Sequence, residues 1–161
     1  MKITKLETFL VKPRWLFLKI HTDEGLIGLG EPILEGRAQS CAQAVDELAP
    51  YLFGKHPTRV VHHWQAMYRH AFYRGGPLLT SALSGIEQAL WDAMGQQLGV
   101  PIYALFGGAL RDRLRLYANV NRHVTDRSPE GFARAARQAV NEGFTAVKLA
   151  PFDELRGRDH V

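Results

Sequence analysis

The chain reads as an α+β protein in which strands come first and helices afterwards, followed by a strand–helix–strand unit. Three observations carry that reading. Apolar and polar residues alternate over residues 2–12 and again over 15–20, the two-residue period of half-buried strands. Apolar residues then recur at three- and four-residue spacing in successive runs, the period of an amphipathic helix. Past residue 112 the pattern changes to strand, helix, strand, the signature of a βαβ unit whose strands are parallel.

Each element has its own justification. Thr22-Asp23-Glu24-Gly25 is turn chemistry, and residues 26–30 return as a third strand, completing an antiparallel meander. Ala38, Cys41, Ala42, Val45, Leu48, Ala49 and Leu52 make one helical stripe, closed by Gly54. A second helix is expected from near Thr58, with Val61, Trp64, Met67, Tyr68 and Ala71 on its apolar face, and Tyr73-Arg74-Gly75-Gly76-Pro77 breaks the run. The third helix carries Ala82, Leu83, Ile86, Ala89, Leu90, Ala93 and Met94 on one face and stops at Gly99 before Pro101. Gly85 and Gly95 lie inside it, where each costs about 1 kcal/mol relative to alanine, so they mark places where another backbone comes close. Residues 115–120 read as a strand. Ser128-Pro129 opens a helix with Phe132, Ala136, Ala139 and Val140 on a shared face, Gly143 closes it, and residues 144–149 form the next strand.

With 161 residues, 46% of them hydrophobic and 22% charged, the composition is that of a soluble globular protein and excludes disorder and collagen-like repeats. Cys41 is the single cysteine, which excludes an internal disulfide and suits a reducing cytoplasm. No charged-then-apolar leader opens the sequence and nothing approaches 18 consecutive apolar residues, so the expectation is a cytoplasmic protein with no membrane partner. The net charge of +4 is dispersed. Arg111, Arg113 and Arg115 form the dense basic patch, Asp112 interrupts it, and nucleic-acid binding is not expected.

The order Ala82, Ser84, Gly85, Ile86, Glu87, Ala89, Asp92, Gly95, Gln96, Pro101, Ile102, Leu105, Phe106, Gly107 resembles the N-terminal signature of the mandelate racemase and muconate lactonizing group of the enolase superfamily. The opening MKITKLETFLVK, the hairpin WLFLKIHTDEGLIGLGEP, the segment EGRAQS and the stretch WQAMYRHAFYRGGPLLTSALSGIEQALWD are similar to the galactonate-type sugar-acid dehydratases of that group. The resemblance implies an N-terminal capping domain, residues 1–112, and the first βαβ unit of a truncated (β/α)8 barrel, residues 113–161. Since such a barrel takes about 250 residues, the expectation is a fragment of a longer enzyme.

It also implies chemistry: abstraction of the proton α to a carboxylate, elimination of water to a 2-keto-3-deoxy acid, and Mg2+ as the cofactor that absorbs the developing charge. The group's metal ligands stand at the ends of the third, fourth and fifth barrel strands, so none is expected in this chain and the chain alone is expected to be inactive. Lys148 lies near the C-terminal end of the second barrel strand, where barrel sites are built. Racemases of the group carry Lys-x-Lys there. Lys148-Leu149-Ala150 lacks the second lysine, which favours the dehydratase pattern with Lys148 as an auxiliary contact to substrate carboxylate, or as a structural ion pair.

Arg14 and Glu35, in loops flanking the hairpin, Asn119 at the end of the first barrel strand, and Arg74 before Gly75 are candidate substrate contacts; for each the bland alternative is a loop side chain in water. Arg74 is also a candidate subunit contact in an expected homo-oligomer. His62, His63 and His70 lack metal-ligand spacing and read as surface histidines, and Asp153, Glu154 and Asp159 as a solvated loop. The alternatives carried alongside are another enzyme of the group acting on a different acid sugar, and a non-catalytic cap or assembly module.

Overall fold

The computed structural model describes residues 1–121 and 123–151. The chain divides into two compact units, Met1–Ala109 and Leu110–Val161.

In the first unit β1 (Ile3–Val11), β2 (Trp15–Thr22) and β3 (Ile27–Gly30) form an antiparallel sheet in that order. Phe9 pairs with Phe17 and Leu18 with Gly30. The alternation in β2 works as read: Leu16, Leu18 and Ile20 are fully buried, while Trp15 and Phe17 stack on the outer face with ring centroids 6.5 Å apart. The Lys12–Pro13 bond in the β1–β2 turn is cis.

The helices α1 (Ala38–Leu52), α2 (Val60–Tyr68), α3 (Gly76–Leu98) and the single turn α4 (Ile102–Leu105) follow. Val45 and Leu52 of α1 and Leu83, Ile86 and Leu90 of α3 close over Leu18 and Ile20 in one core. The main chain after α1 is tied to the start of β1, with Ile3 N donating to Lys55 O and Gly54 N to Ile3 O, both at 2.9 Å. Gly99, in the left-handed conformation at φ 65°, caps α3.

Gly85 confirms the close approach expected of it. A Cβ there would stand 2.4 Å from Pro32 Cβ, and one on Gly30 would stand 2.0 Å from Gly85 O, so β3 and the residues after it lie directly against α3.

Two expectations are corrected. The apolar stripe of α2 is corrected in part: Met67 is buried and Trp64 packs on the core as expected, but Val60 and His63 are buried where Val61, 58% exposed, and Tyr68, 38% exposed, were expected. His63 is therefore no surface histidine, being 1% exposed. His62 and His70 are exposed. The third helix also begins earlier, at Gly76 with Pro77 in its first turn, because proline there gives up only an N–H that has no helical partner.

In the second unit β4 (Ala118–Asn119) and β5 (Val147–Lys148) pair in parallel, joined through α5 (Pro129–Asn141). Ser128 caps α5 by accepting from Gly131 N at 3.1 Å. Val120, Phe132 and Ala139 form the core. Both strands are shorter than the sequence suggests, because side chains replace main-chain ladder bonds at their ends. Arg115 donates to Thr145 O at 2.8 Å on one side, and Asn121 Oδ1 accepts from Ala150 N on the other.

Candidate functional site

The two candidates of the second unit are brought together by strand register. Asn119 and Lys148 are direct partners on β4 and β5, so their side chains leave the same face of the sheet. That face is opposite the helix: Val120, the neighbour of Asn119, is buried with Phe132 and Ala139 of α5, and Leu149, the neighbour of Lys148, lines a pocket with Phe132 and Ala136. Asn121, past the end of β4, joins Asn119 and Lys148 through its hydrogen bonds to Asn119. The Lys148 ammonium lies 5.9 Å from the centroid of the Tyr117 ring, and among the described residues no carboxylate pairs with it.

Asn119 Oδ1 accepts from Asn121 Nδ2 at 2.9 Å and from Asn121 N at 3.3 Å. An ammonium and an amide donor side by side, without a carboxylate to neutralise them, are suited to a carboxylate ligand.

Sequence reasoning missed Asn121 and Arg127. Arg127 donates from Nη1 to Asn121 O and from Nη2 to Ala150 O at 3.2 Å, and its guanidinium lies 4.8 Å from the centroid of the Phe132 ring. The i, i+2 spacing of Asn119 and Asn121 was a signal for one of them. Arg127 had none, since its partners are main-chain atoms fixed by the tertiary fold.

In the first unit Arg14 and Glu35, 21 residues apart, form an ion pair with Nη1 to Oε1 at 2.7 Å. The Arg14 guanidinium also lies 5.1 Å from the Trp15 ring centroid. The β1–β2 turn and the loop after β3 thus meet at one polar point, a guanidinium beside a carboxylate, which matches hydroxyl groups as both donor and acceptor. Arg74 belongs elsewhere. Its Nε donates to Ala71 O at 3.0 Å, and it lines a cavity of about 200 Å3 with Glu47, His70 and Tyr73 whose walls include neither Arg14 nor Glu35.

Buried ionisable groups serve structure. Burial pushes the Cys41 thiol and the Tyr51 phenol up. His63 Nε2 must donate to His56 O, 2.9 Å away, because a carbonyl only accepts. Its Nδ1 then accepts from the Tyr51 hydroxyl at 3.0 Å. Burial holds this imidazole below its ordinary value, with the positive charges of His62, Arg59 and Lys55 adding to the effect.

The donor set does not fit Mg2+: among the described residues no three His, Cys, Asp or Glu side chains converge. Asp153, Glu154 and Asp159 lie outside the described residues. No helix among the described residues is long and apolar enough to cross a membrane.

Comparison with known proteins agrees with this architecture. The chain is 53% identical over 155 residues to a D-galactonate dehydratase of Verminephrobacter eiseniae (strain EF01-2), covering 96% of this chain and 40% of that protein. It is 59% identical over 156 residues to one of Xanthomonas oryzae pv. oryzae (strain PXO99A), covering 97% and 40%. The chain thus spans about 40% of the length of these curated relatives. The crystal structure of an enolase from Pantoea ananatis with bound D-gluconate and Mg superposes with a TM-score of 0.82 at 37% identity, over 92% of this chain and 36% of that one. A member of the enolase superfamily from Salmonella Typhimurium superposes at 0.83 and 33% identity, over 92% and 42%. The family described as mandelate racemase / muconate lactonizing enzyme, N-terminal domain, matches residues 6–107, and the chain belongs to it.

Proposed function

We propose that this chain is part of a sugar-acid dehydratase whose substrate is a six-carbon aldonic acid of the galactonate or gluconate type. Such an enzyme removes the proton α to the carboxylate and expels the neighbouring hydroxyl as water, and the resulting enol becomes a 2-keto-3-deoxy acid. The observation that carries the reading is Lys148 beside Asn119, a cation with no carboxylate partner among the described residues next to an amide, at the strand ends where barrel sites form. In this reading Lys148 neutralises the substrate carboxylate and Asn119 donates to it. Arg14 and Glu35, considered within the first unit alone, are proposed as contacts to substrate hydroxyls, donor and acceptor side by side. The names of the relatives and the gluconate in the Pantoea ananatis structure support the substrate class. Mg2+ is the cofactor that the family implies. Among the described residues nothing converges to hold it, and on this reading the 161-residue chain is expected to bind the acid without turning it over.

The test is equilibrium binding of D-galactonate and D-gluconate to the chain, against galactitol as the uncharged comparison, with a parallel assay for 2-keto-3-deoxy acid in the presence of Mg2+. Binding of the acids, lost about tenfold in Lys148→Met, is the expected result. Equal binding of acid and alditol, or no dependence on Lys148, overturns the assignment, and product formation overturns the claim of an incomplete site.

A further inference from the structure

A chain of contacts runs from the core of the second unit to its candidate site. Phe132 is 4% exposed, and the Arg127 guanidinium lies against its ring. Arg127 holds the main-chain oxygens of Asn121 and Ala150, each two residues past the C-terminal end of its strand. Asn121 in turn spends both ends of its amide: Oδ1 accepts from Ala150 N, and Nδ2 donates to Asn119 Oδ1. A second donor, Asn121 N, meets the same oxygen.

The consequence lies in the chemistry of an amide. Asn119 has one acceptor end and one donor end. Two N–H groups converge on Oδ1, so turning the amide over would set its NH2 against two donors. Asn119 is therefore held in one state, with Nδ2 as the end left for a ligand. Among the described residues that nitrogen has no acceptor.

We infer that Asn121 is a positioning residue, which turns the Asn119 amide so that its Nδ2 and the Lys148 ammonium donate together to one carboxylate, with Arg127 fixing Asn121 in place. The inference rests on the acid-binding reading above and adds to it the device that sets donor polarity. Without the Asn121 side chain only the longer main-chain bond, 3.3 Å, still holds Asn119 Oδ1, and the amide turns more readily to present an oxygen, which repels a carboxylate.

Asn121→Asp separates this role from a structural one. The aspartate keeps an oxygen for Ala150 N, so the strand ends stay pinned, but it offers Asn119 an acceptor where there was a donor. The Asn119 amide then turns toward Asp and away from ligand. D-galactonate affinity is expected to fall about tenfold in Asn121→Asp and about tenfold in Asn119→Ala, with no further loss in the double variant. Additive losses overturn the inference, since simple charge repulsion from the new carboxylate persists when Asn119 is gone.

A second measurement needs neither ligand nor variant. In side-chain amide hydrogen exchange of the unaltered chain, the Asn121 NH2 is expected to be protected and the Asn119 NH2 open, and the reverse order overturns the inference. If the unaltered chain binds no sugar acid, the acid-binding reading fails by itself, while the exchange order still decides the orientation of Asn119.

Discussion

Asp92 Oδ2, on α3, accepts the main-chain N–H of Leu29 at 2.8 Å, and this contact begins a polar ladder that closes the open edge of the sheet. One turn on, Gln96 Nε2 donates to Ile27 O at 2.8 Å and to Asp92 Oδ2 at 2.9 Å; one turn back, Gln88 Oε1 accepts from Glu31 N at 3.0 Å. An unpaired strand edge is a template for pairing with other chains, and here three helix side chains at four-residue spacing occupy it. Asp92 and Gln96 belong to the signature that marks the family, so at least part of that signature maintains the fold. Asp92→Ala is expected to cost about 1–2 kcal/mol in urea unfolding and to speed hydrogen exchange at Leu29, whereas Asp92→Asn, which keeps an acceptor oxygen, stays near the unaltered chain.

Gly85 and Gly95 should respond oppositely to alanine. Both lie inside α3, where alanine gains about 1 kcal/mol of helix propensity. At Gly85 the new Cβ meets Pro32 at its Cα and nitrogen, both 2.5 Å away, main-chain atoms that cannot swing aside. At Gly95 the nearest atom is Val100 O at 3.0 Å, a contact that a few tenths of an ångström relieve. Gly85→Ala is therefore expected to destabilise by about 3 kcal/mol, the upper end for overpacking, and Gly95→Ala to be close to neutral. Thermal melting of the two variants side by side checks the order. Pro32 lies three residues before Glu35, so a displaced Pro32 should also weaken the Arg14–Glu35 pair.

Ser128 offers a local test of the βαβ unit. Its side chain is the acceptor for Gly131 N, and its own N–H donates to Asp126 Oδ1 at 3.1 Å. The Ser128 hydroxyl first and its main-chain N–H second, with Arg134 adding to them, hold the Asp126 carboxyl below its ordinary value. Ser128→Ala is expected to cost about 1 kcal/mol, read as faster hydrogen exchange in the first turn of α5. Unchanged protection there would contradict the cap.

Local periodicity made most of the fold legible. The alternation of Leu16, Leu18 and Ile20 and the run from Ala82 to Leu90 each state a buried face directly, because neighbouring side chains on an element are fixed by its geometry. The candidate pairs were named as separate residues and not as pairs. Arg14 meets Glu35, and Asn119 meets Lys148, only through strand register and loop closure, which no short window contains. The setting of α2 failed for a different reason: His63 was weighed as a polar residue, although its i−3 and i+4 neighbours Val60 and Met67 already marked the buried face.

His63 makes the stability of the first unit depend on pH. In the folded chain its Nδ1 is occupied as an acceptor and its surroundings are dry, so burial first, and then the nearby positive charges, favour the neutral ring. The folded-state value lies below the ordinary 6.5 of the unfolded chain. Between the two the unfolded state binds more protons, so stability rises with pH. The contribution of His63 is fully present above about pH 6.5, is lost progressively as pH falls below that toward the folded-state value, and then levels off. Urea midpoints measured from pH 7.5 down to 5 are expected to fall more steeply in the unaltered chain than in His63→Gln, whose amide keeps a donor for His56 O but does not titrate. His62 and His70 are exposed, and replacing either should leave the slope as it was. Equal slopes for the unaltered chain and His63→Gln would show that the burial of this ring is not coupled to its protonation.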